Sequence, residues 1–381
     1  MKVLYIMNHV DHGGAALALY DLIYEINKSH KDIECVVITS KKNKLNEKLD
    51  QLGIENYSFN FHNFMSSYHK PAWLVKKLLT LRYYKNKLIL KEIENTLDIS
   101  SFDIIHTNLD RIDIGAILAK KYHKPHIWHI REHGELDFKL LSVINHPIEY
   151  MNSFNSYFVA ISKSVKNIWI NRGLKNDNIF LVYDGVRSDL YPVSSIRKID
   201  KKINFLFLGG YFENKGQEEA IDAIGLLDKK DQEKINVDMY GSGKDKYISF
   251  LQKKINEKNL NSIIHLHKYD PNISEKISKY DVGLTCSAAE GFGRVTVEYM
   301  MAGLCPIVSN TGANPEIIAK NVTGLIYKKG DPLSLANQIL FVINNPETVK
   351  KIKEQARKSA HNNFTMKKHV SNIIKIYKTI M

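Results

Sequence analysis

Short apolar, β-branched runs recur along the 381-residue chain, each followed by a stretch with helical spacing. Residues 2–7, 34–39, 104–106, 126–129, 157–161 and 180–183 read as strands in the first half. Residues 203–208, 236–240, 263–267, 281–286, 305–309 and 324–327 repeat the scheme in the second. Parallel neighbours need a crossover between them, so strand–helix alternation predicts a doubly wound, mostly parallel α/β sheet. The alternation breaks once, over the polar stretch 188–202, and the chain is long enough for two cores. We therefore expect two Rossmann-like units: an N-terminal domain over 1–192, a linker over 193–202 and a second domain over 203–363. A final helix, 364–381, carries an apolar face of Val370, Ile373, Ile374 and Tyr377 that needs a partner.

Composition excludes several classes. No apolar run reaches the roughly 18 residues of a membrane-spanning helix, and the apolar start is too short for a secretory leader, so a cytoplasmic location is expected. Cys35, Cys286 and Cys305 are widely spaced in apolar surroundings, which predicts reduced buried thiols and neither a zinc site nor a disulfide framework. The net charge is +13, and residues 60–91 hold seven basic residues (Lys70, Lys76, Lys77, Arg82, Lys85, Lys87, Lys91) and no acid. Phe61, Phe64, Met65, Tyr68, Trp73, Leu74, Leu78 and Leu81 interleave with them. Two readings stand: a surface resting on anionic lipid at the inner face of the cell membrane, or a solvated Lys-rich helix. No nucleic-acid motif accompanies the charge, so no nucleic-acid partner is expected.

The chemistry concentrates in residues 290–316. Glu290 and Glu298 stand eight positions apart around Gly291-Phe292-Gly293, and a helix is expected from Arg294. Glycines allow close backbone approach, and a helix start offers unpaired N–H donors with partial positive charge, so the amides of Gly291 to Val295 form a candidate anion site. The plainer alternative is a surface helix with two unrelated acids. This segment resembles the Glu-x7-Glu motif of glycosyltransferase family 4, retaining enzymes of the GT-B fold ("glycosyl transferases group 1"). The resemblance implies that Glu290 contacts hydroxyls of a transferred sugar while Glu298 holds the ribose of a nucleotide.

Weaker motifs follow in the family's order. Gly13-Gly14, after the first strand, would lie near a diphosphate, and His133 matches an active-site His-Gly position. Residues 208–216 resemble a Gly-Arg-Leu-x-x-x-Lys-Gly loop whose Arg and Lys neutralise the diphosphate: Lys215 matches, but Gly210 stands where the Arg belongs. Arg294 is a candidate replacement, or a partner of Glu290. Tyr269 lies in the loop expected around the base, and Glu316 either starts a helix or touches ligand. The resemblance thus implies catalytic roles for Glu290, His133 and Lys215. It implies donor contacts from Gly13, Gly14, Gly210, Lys215, Tyr269, Glu290, Gly291, Phe292, Gly293, Arg294, Val295 and Glu298. A nucleotide sugar, UDP-hexose or UDP-N-acetylhexosamine by family frequency, would be the donor, and a glycan or lipid-linked molecule of cell-surface polysaccharide synthesis the acceptor. The last helix would cross back onto the N-terminal domain. No Asp-x-Asp occurs, so no metal and no other cofactor is expected. Competing readings are a GT-B sugar-nucleotide epimerase, a non-catalytic sugar-binding protein with a degraded site, and a dinucleotide oxidoreductase, the last disfavoured because residues 9–16 lack Gly-x-Gly-x-x-Gly.

Overall fold

The computed structural model describes residues 1–8, 13–67, 71–134, 140–192, 196 and 202–381. The expected linker at 193–202 therefore lies outside the described residues except at Ile196 and Lys202. The chain forms two compact units: residues 1–185 with 366–381, and residues 186–365. Among the described residues no helix is long and apolar enough to cross a membrane.

The first unit holds strands β1 (Lys2–Met7), β2 (Glu34–Thr39), β3 (Glu55–Ser58), β4 (Met65–Ser67), β5 (Ile104–Thr107), β6 (His126–Ile130), β7 (Leu140–Ser142), β8 (Tyr157–Ala160) and β9 (Ile179–Leu181). Seven of them make one parallel sheet in the order β3-β2-β1-β5-β6-β8-β9, while β4 and β7 pair antiparallel. Val3 to Met7 are wholly buried, as a strand covered by helices on both faces requires. The expected strands at 157–161 and 180–183 end earlier, at Ala160 and Leu181, and the latter begins at Ile179. The C-terminal helix Met366–Ile380 belongs to this unit, with Val370, Ile373, Ile374 and Tyr377 in its core. Tyr377 Oη lies 2.9 Å from Tyr5 Oη and 2.6 Å from His106 Nδ1, which ties the helix to β1 and β5.

The second unit holds β10 (Ile203–Leu208), β11 (Ile235–Gly241), β12 (Ile264–Lys268), β13 (Val282–Thr285), β14 (Cys305–Ser309) and β15 (Leu325–Tyr327). All pair in parallel, in the order β12-β11-β10-β13-β14-β15. Helix Arg294–Met301 lies tight against β13: a Cβ on Gly283 would stand 2.2 Å from the Tyr299 ring. Tyr299 Oη accepts a 2.7 Å bond from the Leu208 N–H, so the helix is registered against the end of β10 as well. In both sheets the winding direction reverses, between β1 and β5 and between β10 and β13. Loops at the carboxyl ends of strands on either side of such a reversal leave a crevice where ligands bind.

Candidate functional site

At the reversal in the second sheet, the loop after β10 meets the loop after β13. Two backbone contacts draw them together. Gly216 has φ +80°, and a Cβ there would stand 2.2 Å from the Cys286 carbonyl oxygen, so only glycine lets the loops close. The Ala288 N–H donates to Asn214 O at 2.8 Å. This sets Lys215 Nζ 3.2 Å from Glu290 Oε2 and 3.5 Å from Ser287 Oγ. Glu290 is seated on a third loop, where its carbonyl accepts from the Ala313 N–H at 2.8 Å and a Cβ on Gly312 (φ +57°) would stand 2.4 Å from that oxygen. Gly293, at φ +92°, then turns the chain into helix Arg294–Met301. An ammonium, a carboxylate and a helix start thus converge where the neighbouring strands β10 and β13 end, a combination suited to a ligand with both an anionic group and hydroxyls.

The remaining expected residues occupy varied positions. Glu298 lies half-buried one turn into the helix, and Arg294 and Val295 open it, also half-buried, after a half-buried Gly291. Phe292 contributes its ring to the core, edge-on to Phe364 at 5.8 Å, so only its backbone is a candidate donor. Gly210 follows β10, and a Cβ there would meet the half-exposed Phe212 ring at 2.4 Å. An aromatic thus crowds the place of the family's arginine. Tyr269 is 55% exposed beyond β12; the stacked pair nearby is Tyr240 with His267, 4.5 Å apart at 17°. Glu316 lies in the first turn of the short helix Asn314–Ile317.

In the first unit Gly13 caps helix Gly14–Ser29 with φ −175°, an extended geometry open to any residue, and both glycines are exposed. His133 is buried, with Nε2 2.9 Å from Ser164 Oγ. Around the reversal between β1 and β5 lies a buried polar network. Arg131 donates to Asn108 Oδ1 at 2.8 Å and to Asp184 Oδ2 at 2.7 Å, and Asn108 donates to the Ala15 carbonyl at 3.1 Å. Ligand atoms of His129, Asp184 and His369 come within 4.8 Å of one another. The guanidinium on Asp184 already supplies positive charge there, which works against a further dication.

Sequence reasoning missed Ser287, which carries no motif. It also missed Tyr211, whose buried hydroxyl lies 2.6 Å from Met239 O and 2.8 Å from His267 O and holds the β10 loop to β11 and β12.

Two tandem Rossmann-like units define the GT-B fold, and solved structures share it. A structure of Anabaena Alr3699/HepE in complex with UDP and glucose superposes with a TM-score of 0.81, 20% identity and complete coverage of both chains. The apo lipopolysaccharide outer core galactosyltransferase WaaB gives 0.72, at 18% identity and complete coverage of both chains. Residues 194–359, which lie within the second unit, match the model of the family "Glycosyl transferases group 1". An uncharacterized glycosyltransferase of Methanocaldococcus jannaschii, MJ1178, is 27% identical over 97% of this chain and 95% of its own. The N-acetyl-alpha-D-glucosaminyl L-malate synthase of Bacillus anthracis is 23% identical over 62% of this chain and 63% of its own.

Proposed function

We propose that the chain is a retaining glycosyltransferase. It moves a hexosyl or N-acetylhexosaminyl group from a uridine diphosphate sugar to a hydroxyl of a glycan or lipid-linked acceptor in cell-surface polysaccharide synthesis. The observation that carries this reading is the 3.2 Å Lys215–Glu290 pair at the β10/β13 reversal, beside a helix opened by Gly293. The relative crystallised with UDP and glucose supports the choice of nucleotide.

In this reading the bond from the anomeric carbon to the β-phosphate oxygen breaks with its electron pair passing to the diphosphate. Lys215, Arg294 and the amides of Gly291 to Val295 meet the growing negative charge as preorganised electrostatics. The acceptor hydroxyl bonds to the same face of the anomeric carbon, and its proton passes to the departing phosphate oxygen. Glu290 exchanges Lys215 for a sugar hydroxyl and positions the donor, and Glu298 grips the ribose. In this reading Lys215 and Arg294 take the part of a metal, in keeping with a sequence that has no Asp-x-Asp. UDP release from a panel of UDP-sugars tests the assignment. Glu298→Ala should raise KM about 10- to 100-fold, and Glu290→Ala should lower kcat by a similar factor; normal turnover in both would sink it. Gly210 favours a second reading, a sugar-binding protein without turnover, in which UDP-sugars raise the melting temperature but no nucleotide is released.

A further inference from the structure

Helices Ala72–Tyr84 and Asn86–Thr96 follow one another through Lys85, whose φ −66° and ψ −20° carry the helical spacing through the join. One face is tied to the first unit. Leu79, Asn86 and Ile93 are buried on it, Asn86 brackets the backbone of His62 at 2.8 and 2.9 Å, and the Tyr83 hydroxyl donates to the Asp113 carboxylate. The opposite face bears Trp73, Leu81, Tyr84 and Leu88, exposed by 72, 58, 61 and 69%. At about 100° per residue these four fall within an arc of roughly 80°, facing away from Leu79 and Asn86. Lys77 lies inside that arc and Lys85 beside it, both exposed. Residues 68–70, with Tyr68 and Lys70, lie outside the described structure.

A helix pair that has already buried one apolar face has no folding reason to carry a second on its outside, so the outer stripe points to something that covers it. Charge selects the occupant. No acid occurs from 60 to 91, so a second copy would set like-charged faces against each other on chains of net charge +13. An anionic bilayer answers both parts of the pattern: Leu81 and Leu88 reach the acyl boundary, Trp73 and Tyr84 suit the interface, and lysines reach the headgroups. We propose that this face docks the protein flat on an anionic lipid surface. The inference does not depend on the transferase reading, since docking is measured without turnover.

The test is co-sedimentation of the full chain with vesicles of phosphatidylcholine containing roughly 30% phosphatidylglycerol, and with phosphatidylcholine alone. Binding is expected only to the anionic vesicles. Trp128 and Trp169 are already buried, so a blue shift of tryptophan emission on binding reports Trp73. Joint Trp73→Ser, Leu81→Ser and Leu88→Ser substitution should abolish the shift and lower partitioning at least tenfold with an unchanged melting curve. Lys77→Gln and Lys85→Gln should each lower it about fivefold. Equal partitioning of wild type and triple variant, or no binding to anionic vesicles, would overturn the proposal. So would a dimer in sedimentation velocity that the triple variant loses, which would assign the face to a second copy.

Discussion

Lys215 and Glu290 are 75 positions apart, yet their charged atoms meet because glycine at 216 lets one loop reach the other. Their pairing is partly solvated, so it adds at most about 1 kcal/mol to stability; its interest is electrostatic, as a cation held in place before an anion arrives. Lys215→Ala should accordingly leave the urea midpoint nearly unchanged while weakening UDP binding on the order of tenfold by calorimetry. A different pair bears on stability. Lys353 Nζ lies 3.4 Å from Asp281 Oδ1, both almost fully buried, and Asp281 Oδ2 accepts from the Asn204 N–H at 3.0 Å. Removing the ammonium from a buried carboxylate is costly, so Lys353→Ala should destabilise by about 3–5 kcal/mol in urea unfolding.

Closure of the loops after β10 and β13 is a matter of backbone shape. Gly216→Ala adds a Cβ against the Cys286 carbonyl and places a side chain at φ +80°. We expect a loss of about 1–3 kcal/mol and at least tenfold weaker UDP binding, although no charged group is removed. Gly53→Ala is the control, since φ is +70° there but nothing lies within 4 Å; it should cost stability alone. What was legible in the sequence follows the same physics. β14 is buried along its whole length and β1 from Val3 onward, and both read as near-continuous apolar runs. β3 escaped notice because Glu55-Asn-Tyr-Ser is a polar edge strand paired on one side only. β4 and β7 are three residues each, too short for a period to show. The start of the Arg294–Met301 helix was legible because Gly293 marks it. The meeting of Lys215 with Ser287 was not, because a tertiary contact between loops leaves no local pattern.

For the molecule as a whole, buried titratable groups govern the response to conditions. Burial pushes the His126 imidazole down to about 3, and its nitrogens lie 2.8 Å from Thr107 Oγ1 and 2.7 Å from Ser156 Oγ. His106 and His129 shift the same way, through burial first and the Arg131 charge second. The folded protein keeps these rings neutral while the unfolded chain protonates them below about pH 6.5. Stability should therefore be full above pH 6.5 and fall on acidification toward 3, by about 1.4 kcal/mol per pH unit for His126 alone. A urea midpoint that stays flat from pH 7 to pH 5 would contradict this. Burial also raises the thiols of Cys35, Cys286 and Cys305 to about 12. All three are free and buried, so a thiol reagent should label none in the native protein and all three after denaturation.

We propose that the reversal between β10 and β13 holds the nucleotide diphosphate of a sugar donor. Titration calorimetry of the full chain with UDP tests it most directly. A saturable site is expected in the wild type, and an affinity at least about 100-fold lower when Lys215→Ala and Glu298→Ala are combined, with the melting temperature of the unliganded protein preserved. Equal affinity in wild type and double variant would place the nucleotide elsewhere on the protein.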